Sequence, residues 1–210
     1  MKKIIFLLIL LSFPVMIFAQ DDARKLLDKA VAALKADAGV RMDFKFAMYD
    51  PSGEELYADS GVLKIPGEKY ALLSDQMKLW CDGTTQWSYI AANNEIYVSE
   101  PNADDARAFS PVHIMELYKE GYKSSVDKKL STAKSDAVVL VANGRGLEIE
   151  KVTILLNKQS AQPEKLDVVY ENGTSASIKV NSYKGKCNFS TKEFRCREKD
   201  FRGVEFVDMR

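Results

Sequence analysis

The chain has 210 residues, 46% of them hydrophobic and 29% charged, a balance that supports one buried core and lies far from the charge-rich, core-poor composition of disorder. Thirty basic residues cancel thirty acidic ones without forming a dense Lys/Arg face, so nothing pulls the chain toward nucleic acid. A single histidine, His113, removes metal sites built on two or three imidazoles, and three cysteines without a C-x-x-C spacing cannot make a four-cysteine zinc or iron–sulfur centre. No metal or cofactor is expected.

Residues 1–19 read as a secretory signal: Lys2 and Lys3, an apolar run from Ile4 to Phe13, Pro14, and the small Ala19 before Gln20. The uncharged stretch from Ile4 is shorter than the roughly twenty residues that span a bilayer. Position 20 is Gln, not the Cys of a lipoprotein signal. Residues 20–210 are therefore expected to form one soluble, monomeric domain in the periplasm. Without Lys2 and Lys3 it has 28 basic and 30 acidic residues, a formal net charge of −2.

Residues 21–38 place Leu26, Leu27, Ala30, Val31 and Leu34 on one stripe and stop at Gly39, which predicts an amphipathic helix. The period then changes to two: Val40, Met42, Phe44, Phe46 and Met48 alternate with Arg41, Asp43, Lys45, Ala47 and Tyr49, a long strand with one apolar face. Asp50-Pro51-Ser52-Gly53 is turn chemistry, after which residues 54–65 return as a second strand ending at Pro66-Gly67. Residues 70–79 read as one strand, Asp82-Gly83 as a hairpin turn, 86–91 as strand, Asn93-Asn94 as a turn and 95–99 as strand.

Residues 101–109 are polar and irregular. Ser110-Pro111 then opens a second helix carrying Ile114, Met115, Leu117 and Tyr118. Further strands are predicted at 138–142, 147–156, 165–170 and 176–183, with a last one within 203–209. About ten antiparallel strands with two helices make a mainly β (α+β) fold, and strands this numerous curl or split. Curling, with helices over the hollow, is the expected outcome because a strand face of Phe, Met and Val must be buried.

Few residues point to chemistry. Cys187 and Cys196 are spaced so that a strand-loop-strand could bridge them in an oxidising compartment, or they are two free small hydrophobes. Cys81 reads as packed, with no neighbour in sequence to lower its pKa, and His113 as a rim residue. An esterase using Cys81 and His113 is the weakest reading, since no nucleophile motif accompanies them. Gly144-Arg145-Gly146 and Asn172-Gly173-Thr174 read as hairpin turns, and Asp104-Asp105 and Glu54-Glu55 as solvated pairs. Aromatic side chains concentrated before residue 100 serve either as core or as the lining of a ligand cavity.

The order of parts, with "SGVLKIPGEKYALL", "WCDGTTQWSYIAANNEIYV" and "FSPVHIMELY", resembles the periplasmic LolA-like outer-membrane lipoprotein carriers. Asp82-Gly83-Thr84 with Trp87 and Tyr89 is similar to that family's D-G-K-x-x-W-x-Y hairpin, and Gly61 with Pro66-Gly67 to its G-x-L-x-x-x-R-P-G segment. The resemblance implies an incomplete, strongly curved antiparallel barrel covered by helices, whose apolar cavity takes the acyl chains of lipoproteins. It implies partner complexes at the inner and outer membranes. It makes Phe44, Phe46, Leu63, Tyr70, Leu72, Trp87 and Tyr89 candidate cavity or core positions, and Ile114, Met115, Leu117 and Tyr118 the inner face of a lid helix. One departure stands out: Ile65 occupies the place of the family's Arg before the Pro-Gly turn, and Lys64 would point to the other face. The alternative is a lipid- or amphiphile-binding module of the same fold without lipoprotein hand-over.

Overall fold

The computed structural model describes residues 15–36, 39–67, 69–101 and 111–210. The expected signal up to residue 14, and the polar segment before the second helix with Ser110, lie outside these residues. Among the described residues no helix is long and apolar enough to cross a membrane.

One curved, open sheet of twelve strands carries the fold. Helix α1 (Val15–Ala36) leads into β1 (Val40–Tyr49), β2 (Glu55–Ile65), β3 (Tyr70–Ser74), β4 (Met77–Cys81), β5 (Gln86–Ile90) and β6 (Glu95–Ser99). Helix α2 (Pro111–Glu116) and a 3-10 turn at Leu117–Lys119 precede β7 (Tyr122–Val126), β8 (Ser135–Ala142), β9 (Ile149–Asn157), β10 (Pro163–Tyr170), β11 (Ser175–Lys184) and β12 (Glu205–Asp208). The strand order is β12-β6-β5-β4-β3-β2-β1-β11-β10-β9-β8-β7. Thus β1, the Phe-rich strand, sits mid-sheet between β2 and β11.

Every pairing is antiparallel except β12 on β6, which is parallel. The single strand expected at residues 70–79 is a hairpin instead. Ser74 Oγ accepts from the Met77 N–H at 3.1 Å and donates to the Met77 carbonyl at 2.9 Å, closing a turn within an otherwise apolar run. The sequence predicts no strand at β7, because Tyr122-Lys123-Ser124-Ser125-Val126 is too polar to announce itself. It forms because Tyr122 and Ser124 are buried beneath α1.

Curvature has local causes. Register slips at Asp43/Phe44 in the β1–β11 pairing and at Met48/Tyr49 in the β1–β2 pairing mark irregularities of the kind that bend a strand. At Gly61 a Cβ would lie 2.5 Å from the Leu73 carbonyl oxygen and 3.1 Å from the ring of Phe44. Only glycine lets β3 approach so closely while an aromatic ring from β1 leans over the gap.

Two apolar clusters lie on opposite faces of the sheet. On the concave face α1 buries Ala23, Leu27, Ala30, Val31 and Leu34 against β7, β8 and α2. Leu63, Leu72, Leu79, Val138, Ile154 and Leu166 share this main core. On the convex face the C-terminal segment lays Phe189, Phe194 and Phe201 over Ala71, Trp80, Trp87 and Tyr89. A 3-10 turn at Thr191–Phe194, closed by a capping box between Ser190 and Glu193, seats Phe194 at 1% exposure.

This segment begins with a close approach. The Cys187 N–H donates to the Gly39 carbonyl at 2.9 Å, and a Cβ on Gly39 would meet the Cys187 carbonyl oxygen at 2.4 Å. Gly39→Ala should therefore lower stability by about 1–3 kcal/mol in urea denaturation. Gly144→Ala, with open space around it, should stay within about 0.5 kcal/mol. Equal midpoints for the two variants would show that the contact carries no weight.

Candidate functional site

The alternation of β1 and β2 places Met42, Phe44 and Phe46 beside Leu63, Asp59 and Tyr57 on the concave face. Strands β10 and β11 add Leu166, Val168, Ala176, Ile178 and Val180, and Ile114 of α2 closes one side. Together with Leu72, Ser74, Met77, Pro163 and Tyr170 they bound a cavity of about 330 Å³. The wall is almost wholly apolar, and Met and aromatic side chains let it adapt to a flexible guest without directional bonds.

Depth varies along this wall. Met42, Leu63, Leu72 and Leu166 are buried, Phe44 and Phe46 are half-buried, and Tyr57 is 38% exposed. The mouth therefore lies toward the β1–β2 hairpin, where the rings of Phe46 and Tyr57 meet at 5.9 Å between centroids.

Of the residues singled out in the sequence, Phe44, Phe46, Leu63, Leu72 and Ile114 are brought together around the cavity. Tyr70 is in the main core but does not line the cavity; its hydroxyl donates to Gln86 Oε1 in a buried pair. Trp87 and Tyr89 are not cavity residues. They pair across from Trp80 and Lys78 on the convex face, beneath the C-terminal aromatics. Met115 and Leu117 are core side chains at 0% and 5% exposure. Tyr118 of the 3-10 turn donates its hydroxyl to Asp28 of α1, and Lys35 of α1 reaches Glu116 at 3.1 Å, so α2 and the turn after it are tethered to α1 through polar side chains.

The sequence reading missed Asp59, Tyr57 and the β10–β11 half of the wall. Only the period-two pattern of β10 and β11 signalled that half, and pattern alone does not reveal which distant strand faces which.

Cys187 and Cys196 are not bridged: all three cysteines are free thiols. The two belong to different surroundings. Cys187, three residues past β11, is held by its N–H bond to the Gly39 carbonyl, whereas Cys196 packs into the convex cluster. Burial, with Glu198 and Asp200 nearby, pushes the Cys196 thiol up to about 11. Burial likewise raises Cys81, whose sulfur accepts from the Gly83 N–H at 3.4 Å. His113 lies 3.8 Å from Glu120. Lys64 points to the convex face and pairs with Glu193 at 2.8 Å, while Ile65 packs against the main core.

The Asp82-Gly83 motif is architectural. The side chain of Asp82, 7% exposed, accepts from the Thr84 and Thr85 N–H groups at 3.0 Å and from Arg195 Nε at 2.6 Å. Burial opposes its charge, but these bonds prevail and hold the carboxyl at about 2. Since the folded value lies below the unfolded one of ~3.9, this stabilisation is fully present above pH 4 and is lost as pH falls toward 2. Asp82→Asn should cost about 2 kcal/mol at pH 7 and flatten the acid limb of the stability curve between pH 4 and 2, read by chemical denaturation. An unchanged acid limb would exclude Asp82 as its source.

The sequence profile described as "Outer membrane lipoprotein carrier protein LolA" matches residues 15–173. No curated protein matches the sequence. Among solved structures, a conserved protein from Thermus thermophilus superposes with a TM-score of 0.58 at 10% identity, covering 89% of this chain and 99% of that one. The Mycobacterium tuberculosis lipoprotein LppX superposes at 0.50 with 9% identity, covering 82% and 100%. At such identities these two show a shared fold.

Proposed function

The chain belongs to the family of outer membrane lipoprotein carrier proteins, LolA, and on that premise we propose that it is a periplasmic carrier that shields the acyl chains of lipoproteins and delivers them to the outer membrane. The observation that carries this reading is the apolar cavity of about 330 Å³ between the concave sheet and α2. The Lys2-Lys3 start and apolar run of residues 4–13 support export to that compartment.

The physics of release fits a cavity of this size. An acyl chain of roughly sixteen carbons represents about 13 kcal/mol of apolar exposure at ~0.8 kcal/mol per CH₂. Burying three such chains completely would pass the affinity ceiling near ~20 kcal/mol, and the cargo would never leave. A volume at the bottom of the ~300–1,000 Å³ range of ligand pockets shields the chains only in part. Hand-over is then an exchange between surfaces of increasing shielding, and no covalent step is required.

A second reading, binding of a lipid or amphiphile without hand-over, is favoured by one observation. Ile65 is packed into the core where the resemblance places an Arg, and Lys64 is engaged with Glu193, so neither supplies a positive charge beneath the helices.

Incubation with membranes bearing an acylated lipoprotein should yield a soluble complex detected by native mass spectrometry. Ala176→Phe, whose ring would occupy the cavity, should reduce recovery at least about tenfold, since displacing two or more CH₂ groups costs over ~1.4 kcal/mol. Recovery of lipid without lipoprotein would establish the second reading, and recovery of neither would sink both.

A further inference from the structure

A formal charge sits in the cavity wall. Among the described residues that line it, Asp59 alone is ionised at neutral pH; the others are apolar, Ser74 or the phenols Tyr57 and Tyr170. The carboxylate is half-buried on β2 and accepts from the Tyr57 hydroxyl at 3.0 Å and the Ser60 N–H at 2.7 Å. The Gln76 N–H faces it as well. Burial works against its ionisation, yet these donors outweigh it and hold the group below the usual carboxylate range. Among the described residues no Lys or Arg lies within 4 Å of it.

This arrangement differs from a hydrogen-bonding subsite. With several donors already occupying its lone pairs, the carboxylate has little acceptor capacity left for a ligand. What it presents to the cavity is a fixed negative charge, close to the mouth because its Tyr57 partner is exposed. Part of the surrounding wall is apolar, so that charge is less screened than one on an open surface.

Resting on the carrier reading above, we propose that Asp59 sets the charge selectivity of the cavity: it admits acyl chains borne on neutral or cationic groups, such as ester- and amide-linked chains of a protein, and turns away free fatty acids and other anionic heads. Selectivity by repulsion suits a site whose walls cannot distinguish one hydrocarbon tail from another. By turning away anionic amphiphiles, it keeps the cavity available to acylated cargo.

The test displaces the neutral dye Nile red from the full-length mature protein at pH 7.4 with three sixteen-carbon probes: palmitate, 1-monopalmitoylglycerol and hexadecyltrimethylammonium. Wild type should bind the neutral and cationic probes about tenfold or more tightly than palmitate. Asp59→Asn should bring palmitate within about twofold of monopalmitoylglycerol, while Asp59→Glu keeps the gap. In wild type alone, a cationic probe that binds no better than palmitate overturns the proposal. So does a gap that persists unchanged in Asp59→Asn. Displacement by none of the probes would overturn the lipid-binding reading itself, a result distinct from binding without charge selection.

Discussion

Alternation of side chains across a strand is the constraint on which this molecule is built. Strands β3 and β4 carry apolar residues on both faces, so both faces of that part of the sheet must be covered. Helices cover the concave side, where α1 seals β7 and β8 and α2 leans over the middle. The C-terminal segment covers the convex side with three phenylalanines. Between α2 and the mid-sheet strands β1, β2, β10 and β11 the cover is incomplete, and the cavity is what remains. A strongly bent sheet makes that remainder a hollow, and Gly61 supports the bend by letting β2 and β3 close up beneath the Phe44 ring.

The wall so formed is suited to low-specificity, reversible holding. Dispersion and desolvation scale with contact area and impose no fixed pose, so a chain can slide in or out without breaking a directional bond. Polar groups are few: Asp59, Tyr57 and Ser74 neighbour one another, and the phenol of Tyr170 comes from β10. Affinity thus comes from area, and discrimination from a small number of placed groups.

The convex face is covered by the C-terminal segment. Residues 15–173 match the family, and the segment after β11 lies beyond that match. It is joined to the sheet by Cys187 on Gly39, Glu193 on Lys64, Arg195 on Asp82, and a parallel β12 beside β6. Two of those anchors, Gly39 and the Asp82-Gly83 turn, are short-range features whose full use appears only once the C-terminal residues arrive. The partly exposed Glu193–Lys64 pair contributes less than the enclosed Asp82 carboxylate. The buried rings of Phe194 and its neighbours do most of the holding.

The sequence alone determined the local structure where one periodicity dominated. The apolar alternation from Val40 to Tyr49 marked β1 at both ends, and Asp50-Pro51-Ser52-Gly53, Asp82-Gly83, Asn93-Asn94 and Asn172-Gly173 marked reversals because each supplies the φ or side-chain bond a tight turn needs. The mainly β class, the two helices and a part of the cavity wall, Phe44, Phe46, Leu63, Leu72 and Ile114, followed from that pattern and the family resemblance. Tertiary structure decided the rest. Trp87 and Tyr89 obey the same alternation as the cavity residues, but which face is inward depends on the distant Phe194 and Phe201. Strand β7 exists because a helix covers it, and β12 runs parallel because the C-terminal chain crosses the convex face before reaching β6. Periodicity records that a face is apolar; only long-range packing records what covers it and where a gap is left.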